Sequence, residues 1–347
     1  MEGTRPLFLV AVVMIVLVIV LALVLQASAR AEPVGPPQEP GTVGGAGPKA
    51  GPVSIRWDGP SKCYPRELIA ECVQYVHKMP GFGPVTGKER AALAIKAAQL
   101  GQKYRVAVRP DQLVAIRRME VGLAARRSGV LALRHGEAIA AASRAGRPVL
   151  SIAAQYRLPP VTVLRQILLE EGYSSQEVRD AIAAPDTLPP QLAAEAPAIF
   201  EADIGSRLNA ERIRAEAQEY EDAVGDHLRA LGLDFETEND LRARAPPPPE
   251  LPPLTPDFLF RSPVIIDGRP VYWLDAKAYP LYGSKLVAAS LAKQAKKYLA
   301  RFGPGAMVFG GGLMCGAQVS SDPGEKSRLL LLDGSHIGHR GSGAAAR

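Results

Sequence analysis

Residues 255–280 read TPDFLFRSPVIIDGRPVYWLDAKAYP, and the fold class turns on this stretch. Phe258 to Ile266 is rich in aromatic and β-branched residues, the composition of a strand. Pro263 within it lacks a backbone donor, which places the strand at an edge or at a bulge. Asp267-Gly268 is a tight-turn dipeptide, because both residues tolerate positive φ, and Val271 to Leu274 reads as the return strand. Asp257 stands ten residues before the turn and Asp275 seven after it, so one bulge brings the two carboxylates to the same end of the hairpin. Lys277, two residues past Asp275, shares its face by the strand period.

Two carboxylates and an ammonium at one strand end suit phosphodiester hydrolysis. Hard carboxylate oxygens hold Mg²⁺ (or Mn²⁺), which binds one or two carboxylates and completes its shell with water and phosphate oxygens. A lysine beside such an ion orients the attacking water or stabilises charge on phosphorus. The order Pro-Asp, spacer, Asp-x-Lys resembles the PD-(D/E)xK nuclease signature. That motif is short, and the competing reading makes Asp257 a turn residue and Asp275–Lys277 a surface ion pair. The next segment weighs against it. Residues 284–301 read SKLVAASLAKQAKKYLAR, a helix of about five turns with Gly303 as its stop and no acidic residue. Lys293, Lys297 and Arg301 recur at i, i+4 and i+8 as a basic stripe, with Gln294 and Tyr298 beside it. These five residues are the expected nucleic-acid contacts. AMVFGGGLM (306–314) then reads as a buried strand, completing an α-β-β-β-α-β order.

From Leu228 to Gly316 the chain resembles the codanin-interacting nuclease family. LRALGLDFETENDLRAR, TPDFLF, a hydrophobic hairpin ending WLDAK, then Gln294, Tyr298 and ARFGPG agree with it in order. The likeness weakens upstream, through PDTLPPQLA and VLSIAAQYRLPPVTVLRQILLE, back towards Tyr64. It does not include the polyproline insert Pro246 to Pro253, which lengthens the loop before Asp257. The resemblance implies an α/β restriction-endonuclease-like (PD-(D/E)xK) core, related to Holliday-junction resolvases, behind an all-helical, helix-turn-helix-like N-terminal domain. It also implies a nucleic-acid substrate (DNA ahead of RNA), a codanin-like partner, a nuclear and cytoplasmic location and, from the junction-cleaving nucleases of this fold, a homodimer. The family usually offers Glu where Asp275 stands; Asp keeps the carboxylate and draws it back by one methylene. The third carboxylate of this class belongs on the helix Asn209 to Leu231. Glu221 is the expected ligand beside Asp257 and Asp275, with Glu219 and Glu216 as alternatives. Glu221 and Glu219 point about 160° apart on a helix, so one alone can face the site. The rival functional reading is a protein that keeps the nuclease fold as a non-catalytic binding partner.

The remainder sets the frame. Residues 1–31 hold an apolar run, Leu7 to Leu25, long enough to span a bilayer. It reads as a membrane anchor in the endoplasmic reticulum or nuclear envelope, as a cleaved signal near Ala29 or Ala31, or as a foreign first exon. Residues 32–58 form a Pro/Gly-rich linker, 59–190 a helical domain, 191–340 the nuclease domain and 341–347 a flexible tail. Within the helical domain, residues 149–171 read either as a helix-turn-helix, with Thr162, Arg165 and Gln166 as groove readers, or as a packed helical hairpin. The net charge of +6 tolerates a polyanionic partner, while 6% aromatic content argues against binding dominated by base stacking. Cys63, Cys72 and Cys315 are expected as unpaired buried thiols, and His336 and His339 as surface residues.

Overall fold

The computed structural model describes residues 52–58, 63–244 and 254–338. The apolar run Leu7 to Leu25, the linker before Pro52, the polyproline insert and the tail with His339 lie outside the described residues. Among the described residues no helix is long and apolar enough to cross a membrane. All of them fall in one compact unit beginning at Pro52.

In chain order the elements are β1 (Ser54–Ile55), α1 (Arg66–His77), α2 (Gly87–Tyr104), α3 (Pro110–Arg134), α4 (Gly136–Arg144), α5 (Val149–Tyr156), α6 (Pro160–Glu170), α7 (Ser175–Ala183) and α8 (Pro190–Glu201). There follow α9 (Arg207–Ala230), β2 (Phe235–Thr237), α10 (Glu238–Arg244), β3 (Phe258–Ile266), β4 (Arg269–Lys277), α11 (Lys285–Phe302), β5 (Gly305–Phe309), α12 (Pro323–Arg328) and β6 (Leu329–Asp333). The fold is mixed α/β around one six-stranded sheet.

The sheet runs β1-β3-β4-β5-β6, with β2 also on β3. β3 and β4 form the expected hairpin; Asp267 and Gly268 both take positive φ, as a two-residue primed turn requires. The register passes from Leu259↔Trp273 to Val264↔Val271, five steps along β3 against two along β4. Pro263 sits in that irregularity, where its missing N–H breaks no ladder bond. β2 and β1 share the other edge of β3, antiparallel and parallel respectively. β5 and β6 continue in parallel beyond β4. β6 comes from the run LLLLD, and β1 from a segment expected to be linker.

Alternation along β5 separates two faces. Ala306 and Val308 pack with Val224 and Leu228 of α9; Met307 and Phe309 pack with Leu291, Ala295 and Leu299 of α11. Gly305 is required where it stands, because a Cβ there would lie 2.0 Å from the fully buried Trp273 ring. Gly303 (φ 81°) ends α11 and lets the chain turn into β5.

The helices α1, α2 and the first half of α3 share a core with Tyr282 and Met314, while α4 to α8 gather around α6. Val163, Leu164, Ile167 and Leu168 of α6 are fully buried, worth about 2 kcal/mol apiece in removed apolar surface. That burial favours the packed-hairpin reading of residues 149–171 over the groove-reading one. Gln166 is buried and donates to Glu170 (2.8 Å), Thr162 is half-buried, and of the three only Arg165 is exposed. α6 packs against α3, α4, α5, α7 and α8, leaving Arg165 and Glu170 exposed. α8, which lies past the boundary drawn at 190, buries Leu192, Ala196 and Ile199 in the same core.

The thiol expectation also changes. Cys63 and Cys315 form a disulfide across 252 residues, and Cys72 alone is free and buried, its pKa raised to about 11 by burial. A pairing at that separation leaves no local trace in sequence. The bond joins the start of the helical part to the loop after β5, beside the backbone bonds Tyr64 N to Leu313 O and Cys315 N to Tyr64 O (2.8 Å each). His336 is not a surface residue; its ring packs edge-on against Trp57 and His227.

Candidate active site

Each element that carries a site residue is fixed by something local. Pairing of Phe258 with Leu274 sets their neighbours Asp257 and Asp275 opposite each other at the open end of the hairpin. Asp257 Oδ2 accepts from the Ala276 N–H (2.6 Å), which ties the end of β3 to β4. Asp275 is 1% exposed. Its Oδ1 accepts from Gln294 Nε2 (3.2 Å), and its Oδ2 is paired with the Lys277 ammonium. The Tyr298 hydroxyl lies 3.2 Å from Gln294 Nε2 and donates to the Thr255 carbonyl (2.7 Å). Thr255 Oγ1 in turn donates to Glu238 Oε1 (2.8 Å), and the Glu238 N–H donates to the Asp257 carbonyl (3.1 Å).

Electrostatics at this end of the sheet are one-sided. Burial first, then the Asp275 and Glu221 charges, push Asp257 up to about 8 against the pull of Lys277 and the Ala276 bond. Asp275 is raised chiefly by burial, opposed by Lys277. Burial works against the Lys277 charge, but Asp275 and Asp257 outweigh it and hold its pKa above the ordinary range. Glu221 is raised by burial and then by Glu238, Asp222 and Asp275, which places it within reach of the same charges. Two buried aspartates, a nearby glutamate and one ammonium leave surplus negative charge in a low-dielectric site. A divalent cation relieves that surplus, so the donor set fits Mg²⁺ or Mn²⁺ through Asp257 and Asp275. Among the described residues no three Asp, Glu, His or Cys side chains converge as placed.

The structure therefore brings together Asp257, Asp275, Lys277 and Gln294, with Glu221 near enough for its charge to act on Asp257. Lys293, Lys297 and Arg301 are exposed along α11. Tyr298 does not join them: 5% exposed, edge-on to Trp273 (5.0 Å) and bonded to Thr255, it has no face left for a base. Helix phase separates the glutamates as expected, with Glu216 held by Arg118 (2.5 Å) and Glu219 lining a different cleft. Glu238 was missed. Its acidic position opening α10 is visible in ETENDLRAR, but only the β2–β3 pairing shows that it reaches the site.

A family model described as "Protein of unknown function TPD sequence-motif" matches residues 189–331, which include Thr255-Pro256-Asp257. An uncharacterised protein of Acanthamoeba polyphaga mimivirus is 38% identical over 125 residues, 35% of this chain and 41% of that protein. CDAN1-interacting nuclease 1 of Danio rerio is 32% identical over 117 residues, 33% of this chain and 35% of its own. The protein of that name from Bos taurus is 34% identical over 92 residues, 26% of this chain and 30% of its own. The matched stretch thus spans less than half the length of these relatives. No solved structure matches the chain significantly. The chain is thus similar over about a third of its length or less to proteins named CDAN1-interacting nuclease 1, and its residues 189–331 match the TPD-motif family model.

Proposed function

We propose that this protein is a metal-dependent nuclease of the PD-(D/E)xK, restriction-endonuclease-like type, hydrolysing phosphodiester bonds of nucleic acid, DNA ahead of RNA. The observation that carries this reading is the buried pair Asp257/Asp275 with Lys277 on the same strand face, at the end of a hairpin flanked by α9 and α11. Mg²⁺ or Mn²⁺ held by Asp257 and Asp275 supplies Lewis-acid polarisation of the phosphate and a water made more acidic. The residues of the chain do the rest. Lys277 stays protonated, so it donates hydrogen bonds, placing the attacking water or stabilising charge on phosphorus. Gln294 fixes the orientation of Asp275, and the Tyr298–Thr255 bond fixes Gln294 in turn. The Ala276 N–H holds Asp257 in line. Glu221 completes the acidic ring, and exposed Lys293, Lys297 and Arg301 receive flanking phosphates. Water adds to phosphorus as the bond to the leaving sugar oxygen breaks. By kinship with proteins named as CDAN1-interacting, a codanin-like protein is the proposed partner.

The test is cleavage of labelled single-stranded, duplex and four-way-junction DNA and of RNA by the full chain with Mg²⁺ or Mn²⁺, with Asp275→Ala alongside. Cutting by the native chain and not by the variant supports the proposal. A folded native chain that cuts none of them sinks it and leaves the non-catalytic binding reading.

A further inference from the structure

A cleft of about 410 Å³ lies between α3, α9 and the ends of β4 and β5. We infer that Arg109 makes this cleft a subsite for a phosphate of the nucleic-acid strand beside the cut, an inference that deepens the nuclease reading and rests on it.

The floor is backbone. Ala278 directly follows Lys277, and the Gly310 N–H donates to the Lys277 carbonyl (2.8 Å), so the floor continues the strands that bear the carboxylates. A Cβ on Gly310 would lie 2.7 Å from the Tyr220 ring, and one on Gly311 would lie 2.3 Å from Pro280 N. Glycine at both positions lets α9 and the β4 exit close onto the end of β5. The N-terminus of α3 is pinned there, because Gln112 Nε2 donates to the Gly311 carbonyl (3.0 Å) and to the Tyr64 hydroxyl (2.5 Å).

Charge decides the occupant. Three arginines line the cleft, and two are balanced: Arg90 by Asp111 (2.9 Å) and Arg118 by Glu216 (2.5 Å). Arg109 has no carboxylate at ion-pair distance among the described residues, and its Nε is buried without a partner. Its charge also acts on Tyr220, which lines the same cleft. The Asp333 carboxylate nearby is already used, accepting from the Leu313 and Ser335 N–H groups. Glu219 is the remaining opposing charge on the wall. A buried guanidinium nitrogen with no acceptor is relieved by an anion, and the planar fork suits phosphate oxygens best. A strand whose cut phosphate sits at Asp275 carries further phosphates on both sides, and this floor is the adjoining surface.

The test measures binding without cutting. Full-length protein carrying Asp275→Asn is titrated with a fluorescein-labelled DNA duplex bearing a single-stranded tail, followed by anisotropy from about 50 to 200 mM salt. Adding Arg109→Gln should weaken binding about 5- to 10-fold and flatten the log–log salt slope by about one. Arg109→Lys should fall between, and Glu219→Gln should tighten binding a few-fold. Unchanged affinity and slope in Arg109→Gln at an unchanged Tm overturn the subsite. Should Arg109→Gln lower the Tm, Glu219→Gln decides, and no tightening overturns it. The two readings fail separately. A native chain that cuts while Arg109→Gln binds normally refutes only the subsite; one that never cuts while Arg109→Gln weakens binding refutes only the hydrolysis.

Discussion

Two groups of buried aspartates among the described residues, Asp203 and the Asp257/Asp275 pair, are satisfied in opposite ways. Asp203, 2% exposed at the turn between α8 and α9, accepts from the Val161 and Gly205 N–H groups (2.8 Å each). Around it Asn209 Nδ2 donates to the carbonyls of Phe200, Glu201 and Asp203, and Ser206 Oγ donates to Phe200. That corner holds the end of the helical core to α9, with both Asp203 oxygens bonded and Asn209 Oδ1 left buried without a partner. Asp257 and Asp275 share one backbone N–H, one amide and one ammonium between them, with Glu221 and Glu238 adding like charge. Burial alone therefore does not mark a reactive group, since both aspartate environments raise the pKa by desolvation. Unrelieved charge marks it: both oxygens of Asp203 are met by backbone N–H groups, whereas the second cluster carries surplus like charge that fits a cation and a phosphate.

The contrast can be broken by substitution. The largest expected effect is Asp275→Asn, which should lower cleavage by about 10³-fold or more and abolish stabilisation by Mg²⁺. Its Tm in EDTA should stay close to that of the native chain, because loss of the Lys277 pair is offset by relief of like charge on Asp257. Turnover and melting with and without Mg²⁺ read both, and a large fall in Tm in EDTA would place Asp275 with Asp203. Asp203→Ala should do the reverse. Two orphaned N–H groups at about 1–3 kcal/mol each destabilise the fold by about 4 kcal/mol, while cleavage per folded molecule stays unchanged. Urea denaturation beside an activity titration checks this. Smaller in effect, Glu221→Gln should weaken Mg²⁺ activation about 10-fold, and Glu219→Gln should leave it alone. A metal titration of cleavage in which the two behave alike would break the helix-phase argument.

A third buried group sharpens the comparison from the other side. His336 packs against Trp57 and His227 with neither ring nitrogen bonded, near Asp333, Asp58 and Arg109. Burial lowers its pKa, opposed by Asp333 and Asp58 and helped by Arg109. The folded state thus favours the neutral ring. Its contribution is whole above the unfolded pKa of about 6.5 and is lost as pH falls towards the depressed folded value. The Tm of the native chain should fall more between pH 7 and 5 than that of His336→Phe; equal slopes would show that the ring stays neutral at no cost.

Local signals were legible where the physics is local. Asp267-Gly268, the strand period and the stop at Gly303 appear as read, and together they align Asp257, Asp275 and Lys277. The amphipathic reading of α11 holds for Lys293, Lys297 and Arg301 but not for Tyr298, because the helix turns that stripe onto Trp273 and Thr255. On α6 the polar residues Thr162 and Gln166 face neighbouring helices while Arg165 stays exposed. Periodicity reports which side of a helix is apolar and says nothing of how many neighbours will cover the rest.

What the sequence by itself determined is the hairpin and its reactive row. Turn geometry and the two-residue strand period act over a few residues and admit one register. The tertiary structure alone decided which glutamate of α9 approaches that row, that Glu238 borders it, that Ser54–Ile55 and Leu329–Asp333 complete the sheet, and that Cys63 meets Cys315. It also set Arg109 over the ends of β4 and β5. Each of these joins segments far apart along the chain, where contact depends on how whole elements pack and not on any pattern between neighbours.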